Sequence, residues 1–141
     1  MVQAARISIT GTQTMDDSGP QTLELVTDGS YCYEPGFALL SYVESEMTGL
    51  EGVVTSFRIE DGQTVTLRRS GKVNAEMVFD RRQAHDSLYD VGFGAMMISV
   101  VTEDMTVLLN EHGGVLDLDY RVEVEHTLCS RNRYHIEIQT I

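Results

Sequence analysis

The stretch Val115-Leu116-Asp117-Leu118-Asp119-Tyr120-Arg121-Val122-Glu123-Val124-Glu125-His126-Thr127 decides the fold class. Leu116, Leu118, Tyr120, Val122 and Val124 alternate with Asp117, Asp119, Arg121, Glu123 and Glu125. Side chains along a strand point to opposite faces in turn, so the segment has one dry face and one charged face. A helix would scatter both sets around its circumference. The spacing predicts a β-strand over 115–127, with Tyr120 and His126 on the dry, interior side.

Working outward, the same period recurs. Ile7 and Ile9 alternate with Arg6, Ser8 and Thr10, and Leu23 and Leu25 with Thr22 and Glu24. Val53, Thr55, Phe57 and Ile59 oppose Ser56, Arg58 and Glu60. Val65 and Leu67 oppose Thr64, Thr66 and Arg68, and Val73, Ala75, Met77 and Phe79 oppose Lys72, Asn74 and Glu76. Ile136 and Ile138 oppose His135, Glu137 and Gln139. Residues 37–43 and 95–101 are apolar on both faces, which calls for an outer cover: a neighbour, a loop or a second subunit.

Turn chemistry separates these runs. Glu34-Pro35-Gly36 suits a type II turn, with Pro setting φ and Gly accepting φ > 0. Asp61-Gly62, Ser70-Gly71 and Gly113-Gly114 read as hairpin signals, and Ser130-Arg131-Asn132 as the turn of the last hairpin. Parity constrains one connection. A strict two-residue turn at Asp61-Gly62 would set Ile59 opposite Thr64, so keeping Ile59 and Val65 on one dry face needs a three-residue or bulged link. The longest break is 80–92, carrying Arg81, Arg82, His85 and Asp86, and reads as a loop with a short helical turn or a lid. Gly29 marks a bend in the long strand 21–33.

Meandering strands, about ten in number, with short links indicate a closed antiparallel barrel or a sandwich, and the longest strands favour the barrel. At 141 residues the chain is the size of one domain, 1–141, and 42% hydrophobic content suffices for a core. The charge of −12, from 22 acidic and 10 basic side chains, repels phosphate backbones and anionic bilayers, so neither nucleic acid nor membrane is an expected partner. Cys32 and Cys129 lie in no metal or redox spacing. The N-terminal residues lack the apolar run of a signal peptide, and the expected location is the cytoplasm with both thiols reduced.

The chain also resembles a known group, the YwiB-like family of uncharacterised bacterial proteins. The resemblance rests on Leu40-Ser41-Tyr42 with Glu44, then Thr48-Gly49-Leu50-Glu51-Gly52, Thr55 and Phe57. It continues through Arg69-Ser70-Gly71, Met77, Phe79, Phe93-Gly94 and a strand ending at Thr102, to Gly113-Gly114 and Leu118-Asp119-Tyr120. The family commonly has Thr-Pro before the Phe-Gly pair, where this chain has Asp90-Val91-Gly92. The resemblance implies an all-β, antiparallel, calycin-like (lipocalin-like) barrel and no activity.

Each chemistry-bearing residue also has a plain structural role open to it. His126 and His135 flank the last hairpin but fall on opposite faces, which argues against a metal pair. Arg69 extends the Val65–Leu67 face to a barrel mouth. There it serves either as a planar fork for a carboxylate or phosphate or, the preferred reading, as the partner of Glu44. Tyr42, Tyr120 and Tyr134 face inward, filling the barrel or lining a cavity. No nucleophile motif, paired catalytic acid or phosphate loop stands out, and the seven methionines read as core filler. The expected function is therefore a non-enzymatic cytosolic barrel. It takes a small ligand in its interior or mouth through Arg69, Glu44, Tyr42, Tyr120 and His126, with no catalytic residue, metal or cofactor. The alternative is an interaction or homodimerising module with a filled barrel; an enzyme ranks third.

Overall fold

The structure, a computed structural model, describes residues 2–15, 19–46, 49–90, 94–124 and 127–141. It is a closed barrel of ten strands: β1 Val2–Met15, β2 Gln21–Glu34, β3 Phe37–Val43, β4 Val54–Glu60, β5 Thr64–Ser70, β6 Asn74–Asp80, β7 His85–Asp90, β8 Ala95–Asn110, β9 Gly113–Val124 and β10 Thr127–Thr140. Every strand pairs antiparallel with its neighbours in sequence, and β1 pairs with β10 to close the ring. Closure leaves no free edge along most of the wall, which removes the usual hazard of an open sheet.

The wall is not uniform in height. Strands β8, β9, β10, β1 and β2 are neighbours and run 16, 12, 14, 14 and 14 residues. Strands β3 to β6 have seven residues each and β7 has six. A tall back arc therefore faces a low front arc. At the end formed by the β1–β2 connection, β2 outruns β3: its pairing with β3 begins only at Ser30↔Ser41. Gly29 sits at this departure, where a Cβ would lie 2.2 Å from the Ser41 carbonyl oxygen.

Period-two burial fills the lower half of the ring. Ile7, Tyr31, Leu40, Phe57, Leu67, Phe79, Leu116, Leu118 and Ile136 are all at most 1% exposed. Each such side chain contributes on the order of 1.5–3 kcal/mol through removal of apolar surface from water. Two bulges keep the faces in phase. The inner face of β8 carries Ile98, Val100 and Thr102, then switches to Met105, Val107 and Leu109, because register shifts between Thr102 and Asp104. A second shift lies between Leu128 and Ser130 on β10.

The Asp61-Gly62 link obeys the parity argument. Ile59 pairs with Val65 across a connection of three residues, 61–63, with Asp61 and Gly62 at φ 54° and 63°. Glu34 pairs with Phe37, and Gly36 has φ 83° as a type II turn after Pro35 requires.

Four expectations need correction. The strand expected over 115–127 runs Gly113–Val124, and 125–126 lie outside the described residues. Ser130-Arg131-Asn132 is not a turn: it lies within β10, opposite Val122, Arg121 and Tyr120. Gly113-Gly114 likewise opens β9, and the chain reverses at Glu111-His112. The two glycines are there because a Cβ on either would strike the Ile138 or the Leu108 carbonyl oxygen, at 2.1 and 1.9 Å. The 80–92 break holds neither helix nor lid over 85–90. Those residues form β7, paired with β8 from His85↔Val100 to Asp90↔Ala95. Its apolar alternation is weak because Leu88 points outward, 55% exposed, so backbone pairing rather than burial defines it.

Of the two stretches apolar on both faces, 37–43 and 95–101, the outward Val43 is 58% and Met97 56% exposed in the single chain. The Arg58 guanidinium does lie over the Phe37 ring, 5.5 Å from its centroid.

Candidate functional site

Height difference and side-chain size together open a cavity of about 590 Å³ at the tall end of the barrel. That volume lies in the range of small-molecule sites. Strand β9 supplies Tyr120, Val122 and Val124; β8 supplies Met96 and Ile98; β6 supplies Met77. From β10 come Ser130, Asn132 and Tyr134, and from the β1–β2 overhang Gly11, Met15 and Leu23. The interior parity of β1 places Gly11 over this space. The Tyr134 ring occupies the room its missing side chain leaves, with Cε1 3.3 Å from where a Cβ would be.

A largely buried polar cluster adjoins the cavity through Arg69 and Tyr134. Glu44, which follows β3 on the Leu40–Tyr42 face, is 4% exposed. It accepts a hydrogen bond from Thr55 Oγ1 at 2.8 Å, and Arg69 Nε faces the same carboxylate oxygen at 4.0 Å. Arg69 Nη2 donates to the Tyr134 hydroxyl at 3.3 Å. Burial, with Glu44 and Tyr134 nearby, pushes the Tyr42 hydroxyl well above the usual phenol range, so it stays protonated. Phe79 packs against Tyr120 with centroids 4.7 Å apart, and Tyr120 against Tyr134 at 6.1 Å. These ring contacts hold the floor rigid.

The candidate residues therefore divide. Arg69 and Tyr120 line the cavity; Glu44 and Tyr42 are buried and do not reach its wall. Arg69 thus both faces Glu44 and fronts the cavity. His126 lies outside the described residues. Ser130 and Asn132 were missed, because their residue types read as a turn. Yet 130, 132 and 134 share the inner parity of Ile136 and Ile138, and that was the available signal. Asn132 Nδ2 donates to Ser130 Oγ at 2.9 Å, within the mouth.

Other polar groups lie elsewhere. His135 is on the outer face, bonded to Asp117 at 2.6 Å and Glu137 at 3.1 Å, and these carboxylates raise its pKa. Asp80, 4% exposed, receives Arg82 Nε and Nη2 at 2.9 and 3.0 Å, which holds its pKa down at about 2. Its backbone N–H donates to Thr102 Oγ1 across the barrel wall. Cys32 is a free, half-buried thiol, and the side chain of Cys129 lies outside the described residues. Among the described residues no three His, Cys, Asp or Glu side chains converge as a metal site, and no helix is long and apolar enough to cross a membrane.

Comparison with known proteins agrees with this architecture. The profile of a family described as "Domain of unknown function (DUF1934)" matches residues 7–136. The structure is similar to the crystal structure of the ywiB protein from Bacillus subtilis, with a TM-score of 0.85 at 21% identity, covering 99% of this chain and 93% of that one. The search of curated proteins finds no match.

Proposed function

The chain belongs to the DUF1934 family, and from that premise we propose that its barrel holds a small molecule in the tall mouth, as a non-enzymatic binding protein of the cytoplasm. The cavity of about 590 Å³, which sets Met77, Ile98, Val122 and Val124 beside Arg69, Ser130, Asn132 and Tyr134, carries this reading. A filled barrel would have brought the side chains of β6, β8 and β9 together at this end as they meet lower down. Here Met77, Ile98 and Val122 border open space instead. Apolar walls supply affinity, and a few fixed polar groups supply orientation.

The test is a thermal-shift screen of small amphipathic molecules against the chain and against Val122→Trp, whose ring would fill the cavity. A ligand that binds the folded state raises the melting temperature with its concentration. The reading expects such ligands and expects Val122→Trp to abolish the shift. Hits indifferent to that substitution would contradict it.

A second reading rests on the outward pair Leu88 and Met97, directly opposed on β7 and β8 and each more than half exposed. Two such faces from two copies would cover each other. Sedimentation of the chain and of Met97→Glu decides it: a dimer weakened by the substitution supports the reading, and a monomer at all concentrations removes it.

A further inference from the structure

We propose that the molecule bound in the mouth is a small monocarboxylate with an apolar body, its carboxylate held by Arg69; this rests on the binding reading above. Three observations carry it. The first is the sign of the charge facing the cavity. The Glu44 side chain is 3% exposed and takes no part in the cavity lining, while Arg69, 13% exposed in its side chain, lines the cavity. The second is the fate of the other arginine at the mouth. Arg133 is 69% exposed and bonds Asp119 on the outer face, so it is a rim residue. The third is the pairing of the floor. Tyr134 Oη already accepts from Arg69, leaving its own proton to donate into the cavity beside the guanidinium.

A guanidinium and a phenol side by side match the two oxygens of one carboxylate. The buried position matters as much as the identity. At a side chain only 13% exposed the charge-assisted bond is stronger than at the surface, and Glu44, 4.0 Å from Arg69 Nε, takes no part in the cavity lining. A dianionic phosphate fits less well. It would meet one cation already balanced by Glu44, inside a chain of net charge −12. The walls state the other half of the ligand: Met77, Ile98, Val122 and Val124 offer methyl and thioether surface suited to an alkyl chain or a ring.

The test is calorimetric titration with decanoate and 1-naphthylacetate, each beside its matched primary alcohol and amine. The proteins compared are the native chain, Arg69→Gln, the doubly neutral Arg69→Gln/Glu44→Gln, and Val122→Trp. The expected result is that the carboxylates bind roughly tenfold to a hundredfold more tightly than the alcohols, and that the amines bind most weakly. The double variant leaves no unpaired buried charge, so it keeps the fold where Arg69→Gln alone fails. It should bind acid and alcohol alike, with the acid weakened by that same factor. Acid and alcohol binding equally to the native chain, both abolished by Val122→Trp, would overturn the carboxylate proposal and leave the cavity reading standing. No binding by any probe, or binding untouched by Val122→Trp, would overturn both.

Discussion

Arg69 and Glu44 illustrate how a charged pair is tolerated inside a barrel. Each ion alone would be strongly disfavoured there; their charges offset one another at 4.0 Å, while Thr55 hydrogen-bonds Glu44 and Arg69 Nη2 hydrogen-bonds Tyr134. Removing one partner should therefore cost far more than removing both charges. Glu44→Ala or Arg69→Ala is expected to lower the unfolding free energy by about 3–5 kcal/mol, and the neutral pair Arg69→Gln/Glu44→Gln by clearly less, in urea denaturation. Asp80 makes a different prediction. Its carboxyl is held at about 2, below its usual value, so its contribution is present above about pH 4 and is lost as pH falls through about 2. The stability gap between the native chain and Asp80→Asn should be ~1–2 kcal/mol at pH 7 and close toward pH 2, because Arg82 is exposed and its bonds are screened. Arg69 and Glu44 were legible because each extends an apolar alternation by one step. Ser130 and Asn132 were not, since a Ser-Arg-Asn triplet has the same composition whether it turns a chain or faces a polar pocket.

At the scale of elements, strands with a strong apolar period were readable and those without it were not. Strand β9 shows its faces directly, and β4 and β5 fix their own connection through the pairing of Ile59 with Val65. That connection needs Gly62 at φ 63° beside Asp61 at φ 54°. Gly62→Ala should cost about 1 kcal/mol in thermal or urea unfolding, since the left-handed conformation disfavours a side chain. Strand β7 lay hidden because only its backbone pairing defines it. The bulges left a trace: on β8 the buried set moves from even to odd numbers across Glu103, though a composition-based reading passes over one residue.

For the whole molecule, unequal strand lengths produce the function-bearing shape. Short strands β3 to β7 close the lower barrel around a packed core, and β2 with its neighbours β1 and β10 rises beyond β3 to enclose the mouth, while the extra length of β8 lies beyond β7 at the opposite end. Alternation and turn residues announce a barrel, but strand number and stagger determine whether it is filled, and stagger depends on register that emerges only on closure. The most direct measurement follows the methionine methyl groups by ¹³C NMR as decanoate is added. The account predicts that Met77 and Met96, at the cavity, shift with saturating ligand, while Met105 in the core and Met97 on the outer face stay in place. Shifts of Met97 or Met105 without Met77 and Met96, or no shift at saturating decanoate, would contradict it.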